Sequence, residues 1–235
     1  MKCRKKSLWS SALGLVVGSG LGLGLCLESL CAHAGTIEDG RIWLTYALEH
    51  PLDAKWKVTL QMQPYWRDEG HAYDQVTYRP GIYYQINNRL AVGGGYAYAL
   101  GHPDHQQNTH ENRVWEDVIY QWSGEGTWQL SARTRLEHRQ FEHHGAMLHG
   151  VRQLLKLTVP VHQALSLMVS DEYYANLNST AQGVAGFDQN RLMVGVAARL
   201  SPASTVELGY VNQYSQRATA DIDNHILALS LSQSF

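Results

Sequence analysis

Basic side chains recur at every second position in several stretches of the sequence, and this spacing places them on one side of an extended chain. In the clearest stretch, Arg133, Arg135 and Arg139 share a face with Glu137, and mostly apolar residues alternate with them. Guanidinium groups bind carboxylates bidentately, and a ring of such charges concentrates anions. The spacing therefore predicts a basic surface that either receives acidic solutes or pairs with acids of its own chain.

The same alternation, followed along the chain, collects twelve basic and five acidic residues on one polar face. The basic members are Lys55, Lys57, Arg79, Arg89, Arg113, Arg133, Arg135, Arg139, Arg152, Lys156, Arg191 and Arg199. The acidic members are Glu49, Asp117, Glu137, Glu172 and Glu207. If this face lines the interior of a barrel, two interpretations stay open: a narrow path for anionic solutes, or a salt-bridge network that fills a closed interior.

Histidines form a second group of candidate functional residues. Two predicted loops carry His102, His105, His110, His143, His144 and His149. Imidazoles of this kind bind zinc or copper. Their irregular spacing is more typical of ordinary polar surface, so the sequence predicts no metal and no cofactor, and these six residues are weak candidates only.

A catalytic constellation is harder to find. Some outer-membrane barrels hydrolyse lipids with a serine, a histidine and an acid, and the candidates for those roles would be Ser170, His138 and either Asp171 or Glu172. No nucleophile motif surrounds the serine, and serine is a common residue in strands. We therefore expect no enzymatic activity and assign no catalytic residue.

Segments of about 10 to 14 residues with period-two alternation position these residues. Eleven such segments are predicted, at 40–50, 54–66, 72–86, 88–100, 111–122, 126–141, 150–160, 163–176, 187–200, 203–215 and 222–235. Short connections alternate with longer ones, as periplasmic turns alternate with extracellular loops. The pattern predicts an all-β fold, a single antiparallel transmembrane β-barrel. A soluble β-sandwich is the alternative, and it fits poorly because the same split between apolar and charged faces recurs along the chain.

The last predicted segment, 222–235, gives the clearest indication of the cellular compartment. Leu227, Leu229 and Leu231 lie on one side of it, serines lie on the other, and the sequence stops at Phe235, which resembles the terminal aromatic recognised by the barrel-assembly machinery. If all strands pair antiparallel, an odd number cannot close. The sequence therefore predicts about twelve strands, with ten as the fallback.

The amino-terminal residues predict export. A cluster of lysines and Arg4 precedes an apolar stretch and an A-x-A motif, so residues 1–34 are predicted to be a signal peptide cleaved after Ala34, with the barrel in 35–235. Cleavage removes all three cysteines, which excludes disulfides and thiol chemistry in the mature protein. It also leaves a net charge of about negative five. No mature segment is apolar for long enough to form a spanning helix.

These observations predict a protein of the Gram-negative outer membrane. The expected partners are outer-membrane lipid and lipopolysaccharide, the barrel-assembly machinery during biogenesis, and anionic small solutes if the barrel transports at all. Nucleic acid is not an expected partner.

Three stretches, ENRVWED at 111–117, RTRLEHRQFE at 133–142 and GFDQNRLMVG at 186–195, stand out together with the opening IWLTYALEHPLDAKWKV. This set resembles the bacterial outer-membrane β-barrel family known as domain-of-unknown-function family 2490. The resemblance covers most of the mature chain. It implies a Gram-negative outer-membrane barrel with no agreed activity, and it transfers no catalytic or binding residue.

Overall fold

The computed structural model describes residues 36–103, 107–124, 128–217 and 219–235. Within these residues, eleven strands form one closed barrel in which each strand pairs with its neighbours in the chain. They are β1 (Ile37–Pro51), β2 (Trp56–Arg67), β3 (Ala72–Gln85), β4 (Leu90–Gly101), β5 (Thr109–Gly124), β6 (Trp128–Phe141), β7 (Leu148–His162), β8 (Leu165–Asn176), β9 (Gly186–Ser201), β10 (Ser204–Ser215) and β11 (Ile222–Ser234). The strands begin and end within three residues of the predicted segments. The predicted signal peptide, residues 1–34, lies outside the described residues, and so does His105.

The barrel closes through a parallel pair of strands, which corrects the predicted count of twelve. β1 and β11 run side by side in the same direction, from Ile37 opposite Ile222 to Glu49 opposite Ser234. A parallel ladder forms evenly spaced, slanted hydrogen bonds and satisfies both edges as completely as an antiparallel one. An odd number of strands can therefore close, and neither a twelfth strand nor the ten-stranded fallback is needed.

Alternation sorts the side chains onto two surfaces. On the outer surface, leucine, valine, isoleucine and tyrosine side chains from most of the strands are exposed, such as Leu60 on β2, Leu157 on β7 and Leu229 on β11. The inward side chains at mid-barrel are mostly charged or polar and are buried. This is the inverse of a soluble protein, where polar residues face outward. No helix in the described part of the chain is long and apolar enough to cross a membrane.

The outer apolar surface has the height of a membrane core where β2 crosses it. Trp56 and Trp66 face outward near the two ends of this strand, of which Trp56 is the first residue and Trp66 the last but one. Ten residues span about 33 Å along a strand. A strand tilt of about 40° reduces this to about 25 Å along the barrel axis, which matches the apolar band of membrane barrels.

Outward polar residues on the later strands are paired with one another. Thr134 Oγ1 donates to Gln153 at 2.6 Å, and Asn190 donates to Asp171 at 2.7 Å. His138 and His149 share a hydrogen bond of 2.7 Å. These pairs lie on the half of the outer wall nearer the longer loops. Cross-strand pairing lowers the cost of placing polar groups on an otherwise apolar surface.

Glycines on two neighbouring strands, Gly81 on β3 and Gly93 and Gly95 on β4, make room for aromatic rings in the interior. A Cβ at Gly95 on β4 would lie 2.3 Å from the Pro80 carbonyl oxygen and 2.6 Å from the Trp115 ring, and a Cβ at Gly93 would overlap the Tyr83 ring. The close approach of interior side chains therefore explains Gly93 and Gly95. The Trp115 ring is 1% exposed against this notch.

Replacing Gly95 by alanine is expected to lower the free energy of unfolding by about 1–3 kcal/mol, because the new methyl group meets backbone as well as the indole ring. Gly145→Ala is the matched control, since a Cβ at Gly145 meets nothing within 4 Å. Urea unfolding in detergent micelles measures both variants. Equal stability of the two variants would contradict the packing of Trp115 against Gly95.

Candidate functional site

The structure places most of the predicted basic face inside the barrel. Inward positions are occupied by Lys57, Arg79, Arg113, Arg133, Arg135, Arg139, Arg152, Lys156 and Arg191. Arg199 occupies an inward register position near the end of β9, where it is exposed. The predicted acids Glu49, Asp117, Glu137, Glu172 and Glu207 also face inward, and ion pairs join each of them to an inward base.

Two predicted interior bases lie in turns instead. Lys55 and Arg89 are exposed in the β1–β2 and β3–β4 connections, because β2 and β4 begin later than the predicted segments. In the first of these turns, the Asp53 carboxylate accepts the backbone N–H groups of Lys55 at 2.7 Å and Trp56 at 2.8 Å. These bonds favour the ionised form and lower the pKa of Asp53.

The interior contains charged residues that the sequence pattern assigned elsewhere or missed. Glu111, the first residue of the predicted segment 111–122 and not a member of the predicted acidic face, is buried on β5, where Arg113 and Arg139 each donate to it through two nitrogens. Asp74 accepts from Arg41 at 2.9 Å and from Arg67 at 3.2 Å. A register shift between β2 and β3 at this point changes the side of the sheet that Asp74 faces, so period-two alternation alone could not find it.

The centre of the interior holds a bidentate ion pair. Arg135 donates through Nε and Nη2 to the two oxygens of Asp117, both at 2.7 Å, and the Tyr83 hydroxyl donates to the same carboxylate at 2.8 Å. The Arg135 guanidinium also lies 4.4 Å from the Trp115 ring centroid. Each of these contacts joins different strands, so the pair ties β3, β5 and β6 together.

Glu172 on β8 is the second centre of the network. Its carboxylate accepts from Arg133 at 2.6 Å, from Arg152 Nη2 at 2.8 Å and from the Tyr174 hydroxyl at 2.7 Å. Arg152 also donates to Glu137 at 2.8 Å. On the far side of Tyr174, the Arg191 guanidinium lies between the Tyr174 and Trp43 rings at 4.7 and 4.6 Å, a cation–π arrangement on both faces.

Burial shows that this network closes the interior at mid-height. Asp117 and Arg135 are each 2% exposed, and Arg79, Glu137, Arg152 and Glu172 are all at or below 7%. Residues that line a water-filled channel would be accessible to solvent. Ion pairs near the ends of the barrel are accessible: the Lys57 and Glu49 side chains, joined at 2.9 Å, are 41% and 43% exposed.

A small cavity lies between the exposed end and the closed centre. Its volume is about 90 Å³. Its walls are formed by Glu49, Lys57, Thr59, Gln61, Arg79, Tyr83, Trp115, Ile119 and Arg135. The half-exposed Lys57–Glu49 pair lies at the end with the short turns, and the buried Trp115 and Arg135 form the deepest part.

Several buried donors in the interior have no acceptor among the described residues. They include the Nε atoms of Arg79, Arg133 and Arg191, Nη1 of Arg135, and the indole nitrogens of Trp43 and Trp115. Buried N–H groups are rarely left without an acceptor. The unpaired groups here are almost all donors, which is the electrostatic signature of an interior with more bases than acids.

The described loop histidines do not converge. His110 accepts or donates a short hydrogen bond with Tyr98 and lies 3.6 Å from Glu142, while His102 packs on the Tyr73 ring. His143 and His144 are exposed in the β6–β7 turn, and His149 faces outward beside His138. Among the residues that the structure describes, no group of three or more His, Cys, Asp or Glu side chains could hold a metal ion.

The residues considered for catalysis do not meet. Ser170 lies at an inward position opposite Lys156, whereas His138 faces outward and pairs with His149 and Glu116. Asp171 faces outward and Glu172 faces inward, where its carboxylate is occupied by arginines.

Phe235, the predicted assembly signal, is 67% exposed, and its backbone N–H donates to the Glu49 carbonyl at 3.2 Å.

Comparisons with known proteins place these features in context. The family model described as a protein of unknown function, DUF2490, matches residues 40–224. An uncharacterised protein of Methylorubrum extorquens is 28% identical over 220 residues, which is 88% of this chain and 96% of that protein. Among solved structures, the anion-selective porin from Comamonas acidovorans aligns at 12% identity with a TM-score of 0.40, over 77% of this chain. The chain spans 53% of that porin, about half of its length.

Proposed function

The chain belongs to the DUF2490 family of proteins of unknown function, and we propose that it is a Gram-negative outer-membrane β-barrel whose basic interior is closed at mid-height. The single observation that carries the membrane assignment is the outer wall, where leucine, valine, isoleucine and tyrosine side chains are exposed around the barrel. The largest apolar patch on a typical soluble monomer is a few hundred Å². A wall that is apolar around the barrel and about 25 Å high instead matches a bilayer core.

The outer membrane is the compartment that fits a barrel of this kind. Strands span a membrane only as a closed barrel, because lipid cannot satisfy open backbone edges. The predicted signal peptide would deliver the chain to the periplasm. In this location its partners are outer-membrane lipid and lipopolysaccharide, and the barrel-assembly machinery inserts it.

The wall assignment is tested by lipid quenching of tryptophan fluorescence. In vesicles of brominated phosphatidylcholine, outward rings such as Trp56 contact the lipid, whereas Trp115 is shielded inside the barrel. We expect Trp56→Phe to remove a large share of the quenchable signal and Trp115→Phe to remove almost none. Equal loss from both variants, or no quenching of the wild type, would contradict a lipid-facing wall.

The interior favours retention of anions over free passage. Its guanidinium groups lie within an ion-pair network whose central members are all but inaccessible to solvent. Anionic solutes can reach the cavity at the short-turn end, and the network blocks the path beyond it. The barrel in this state is a closed basic compartment rather than an open pore.

A narrow channel for anionic small solutes is the second candidate, and one observation favours it. Inward bases outnumber inward acids, and the surplus includes Arg79, for which the described residues supply amide oxygens but no carboxylate. A channel would require the network to rearrange. Steady anion-selective conductance of the wild-type protein would favour this candidate over the closed barrel.

A further inference from the structure

Arg79 is a buried interior charge whose only hydrogen-bond acceptors in the described part of the chain are neutral amides. It is 7% exposed, and its Nη1 donates to the side-chain oxygens of Gln61 at 3.4 Å and Gln63 at 3.1 Å, while its Nε has no acceptor among the described residues. A buried charge without a counterion is costly, and neutral amide oxygens compensate it only in part. Arg79 therefore has no carboxylate within ion-pair distance among the described residues, and Glu137 acts on it only from beyond that distance.

Two further unpaired donors belong to the walls of the same cavity. Two nitrogens of Arg135 donate to Asp117. Its third nitrogen, Nη1, is buried without a hydrogen bond and lies 3.9 Å from Glu137. The indole N–H of Trp115 is also buried without an acceptor. Arg79, Arg135 and Trp115 all line the cavity of about 90 Å³. A buried donor without a hydrogen bond destabilises the protein.

The acids near the cavity already form ion pairs with basic residues of the protein. Asp117 accepts from Arg135 and Tyr83, and Glu49 is paired with Lys57 at 2.9 Å. The lining thus contributes Arg79, Arg135 and Lys57 against Glu49, with a net positive charge. Three unpaired N–H groups on lining residues and a surplus of positive charge fit an acceptor-only ligand of small size, which these buried groups reach once their side chains turn toward the cavity.

We propose that this cavity binds one small oxyanion, of the size of phosphate or of a single carboxylate group, with Arg79, Arg135 and the Trp115 N–H as its principal donors. The site deepens the proposed function, since it rests on the basic interior of the closed barrel. Lys57 and Glu49 form its accessible side, and anions enter from the short-turn end of the barrel. The volume excludes an oligosaccharide, so only a terminal acidic group of a larger solute would fit.

Calorimetry of the full-length mature barrel in uncharged detergent, titrated with inorganic phosphate in a chloride buffer, tests the site. We expect saturable binding to the wild type and at least tenfold weaker binding to Arg79→Gln, which removes the charge and keeps hydrogen-bonding atoms. Arg199→Gln is the matched control, because this arginine is exposed and outside the cavity. Its affinity for phosphate should equal that of the wild type.

Trp115→Phe provides a second variant, which removes the indole N–H and keeps an aromatic but smaller ring at this position, so a result is obtained even if Arg79→Gln fails to fold. We expect Trp115→Phe to weaken phosphate binding several-fold. As a folding control, the variant barrel should still resist denaturation in cold detergent. A parallel titration with acetate distinguishes a phosphate site from a carboxylate site. Absence of saturable binding of either anion to the wild type, or equal affinities for Arg79→Gln and Arg199→Gln, would overturn the proposal. Because this assay needs no lipid, its failure is distinguishable from failure of the membrane assignment.

Discussion

Replacing Asp117 by alanine is expected to lower the free energy of unfolding of the barrel by about 3–5 kcal/mol, because it leaves the Arg135 guanidinium buried without its carboxylate. Arg135 is 2% exposed and cannot turn toward water, and Glu137, at 3.9 Å, is already bonded to Arg152. The Tyr83 hydroxyl loses its acceptor in the same step. Equilibrium unfolding by urea in detergent micelles measures the loss.

The matched control is Glu49→Ala, which breaks an ion pair of similar length at the mouth of the barrel. Both partners there are more than 40% exposed, so water replaces the lost contact and we expect a change below about 1 kcal/mol. Removing both Asp117 and Arg135 should cost less than the sum of the two single replacements, since no charge is left unpaired. Similar losses for Asp117→Ala and Glu49→Ala would contradict a buried central pair.

Hollowing the centre is expected to turn the closed barrel into an anion-selective pore. The hollow variant combines Trp115→Ala, Asp117→Ala and Arg135→Ala, which removes the indole ring, the carboxylate and the guanidinium that fill the interior beside the cavity. Arg79, Arg113 and Arg152 remain inside, and a pore lined by such charges favours anions. In planar bilayers, the hollow variant should show a steady conductance with chloride more permeant than potassium.

A control of matched composition is Trp122→Ala combined with Glu49→Ala and Lys57→Ala. It removes the same three kinds of side chain, but Trp122 lies on the outer face and the pair lies at the mouth. This control should insert and conduct no more than the wild type. A hollow variant that stays closed, or one that prefers potassium, would refute the central network as the barrier.

The strands could be predicted from the sequence because apolar residues of the outer face alternate in each strand with polar residues of the inner face. The segment that carries Arg133, Arg135 and Glu137 was assigned to the correct faces, since one side meets apolar surroundings and the other meets polar ones. The number of strands was predicted wrongly because an even number is required only when the first and last strands pair antiparallel. No residue in β1 or β11 signals that these two strands pair in parallel, from Ile37–Ile222 onward.

The partners inside the barrel could not be derived from spacing. Arg133 and Glu172 are 39 positions apart, and Lys156 and Glu207 are 51 apart, so these pairs exist only once the barrel has closed. The Glu111 pairs with Arg113 and Arg139 were missed because the start of β5 was placed two residues late. The sequence pattern did detect the surplus of interior bases. It did not show that the centre is filled, because the fit of Trp115 against Gly81 and Gly95 depends on three adjacent strands.

Recording from the wild-type protein in planar bilayers tests the closed basic barrel most directly, with the hollow variant in parallel to demonstrate insertion. We expect the wild type to insert and to show no steady open level, while the hollow variant conducts with anion preference. A stable wild-type conductance equal to that of the hollow variant would contradict a barrel closed by its central network.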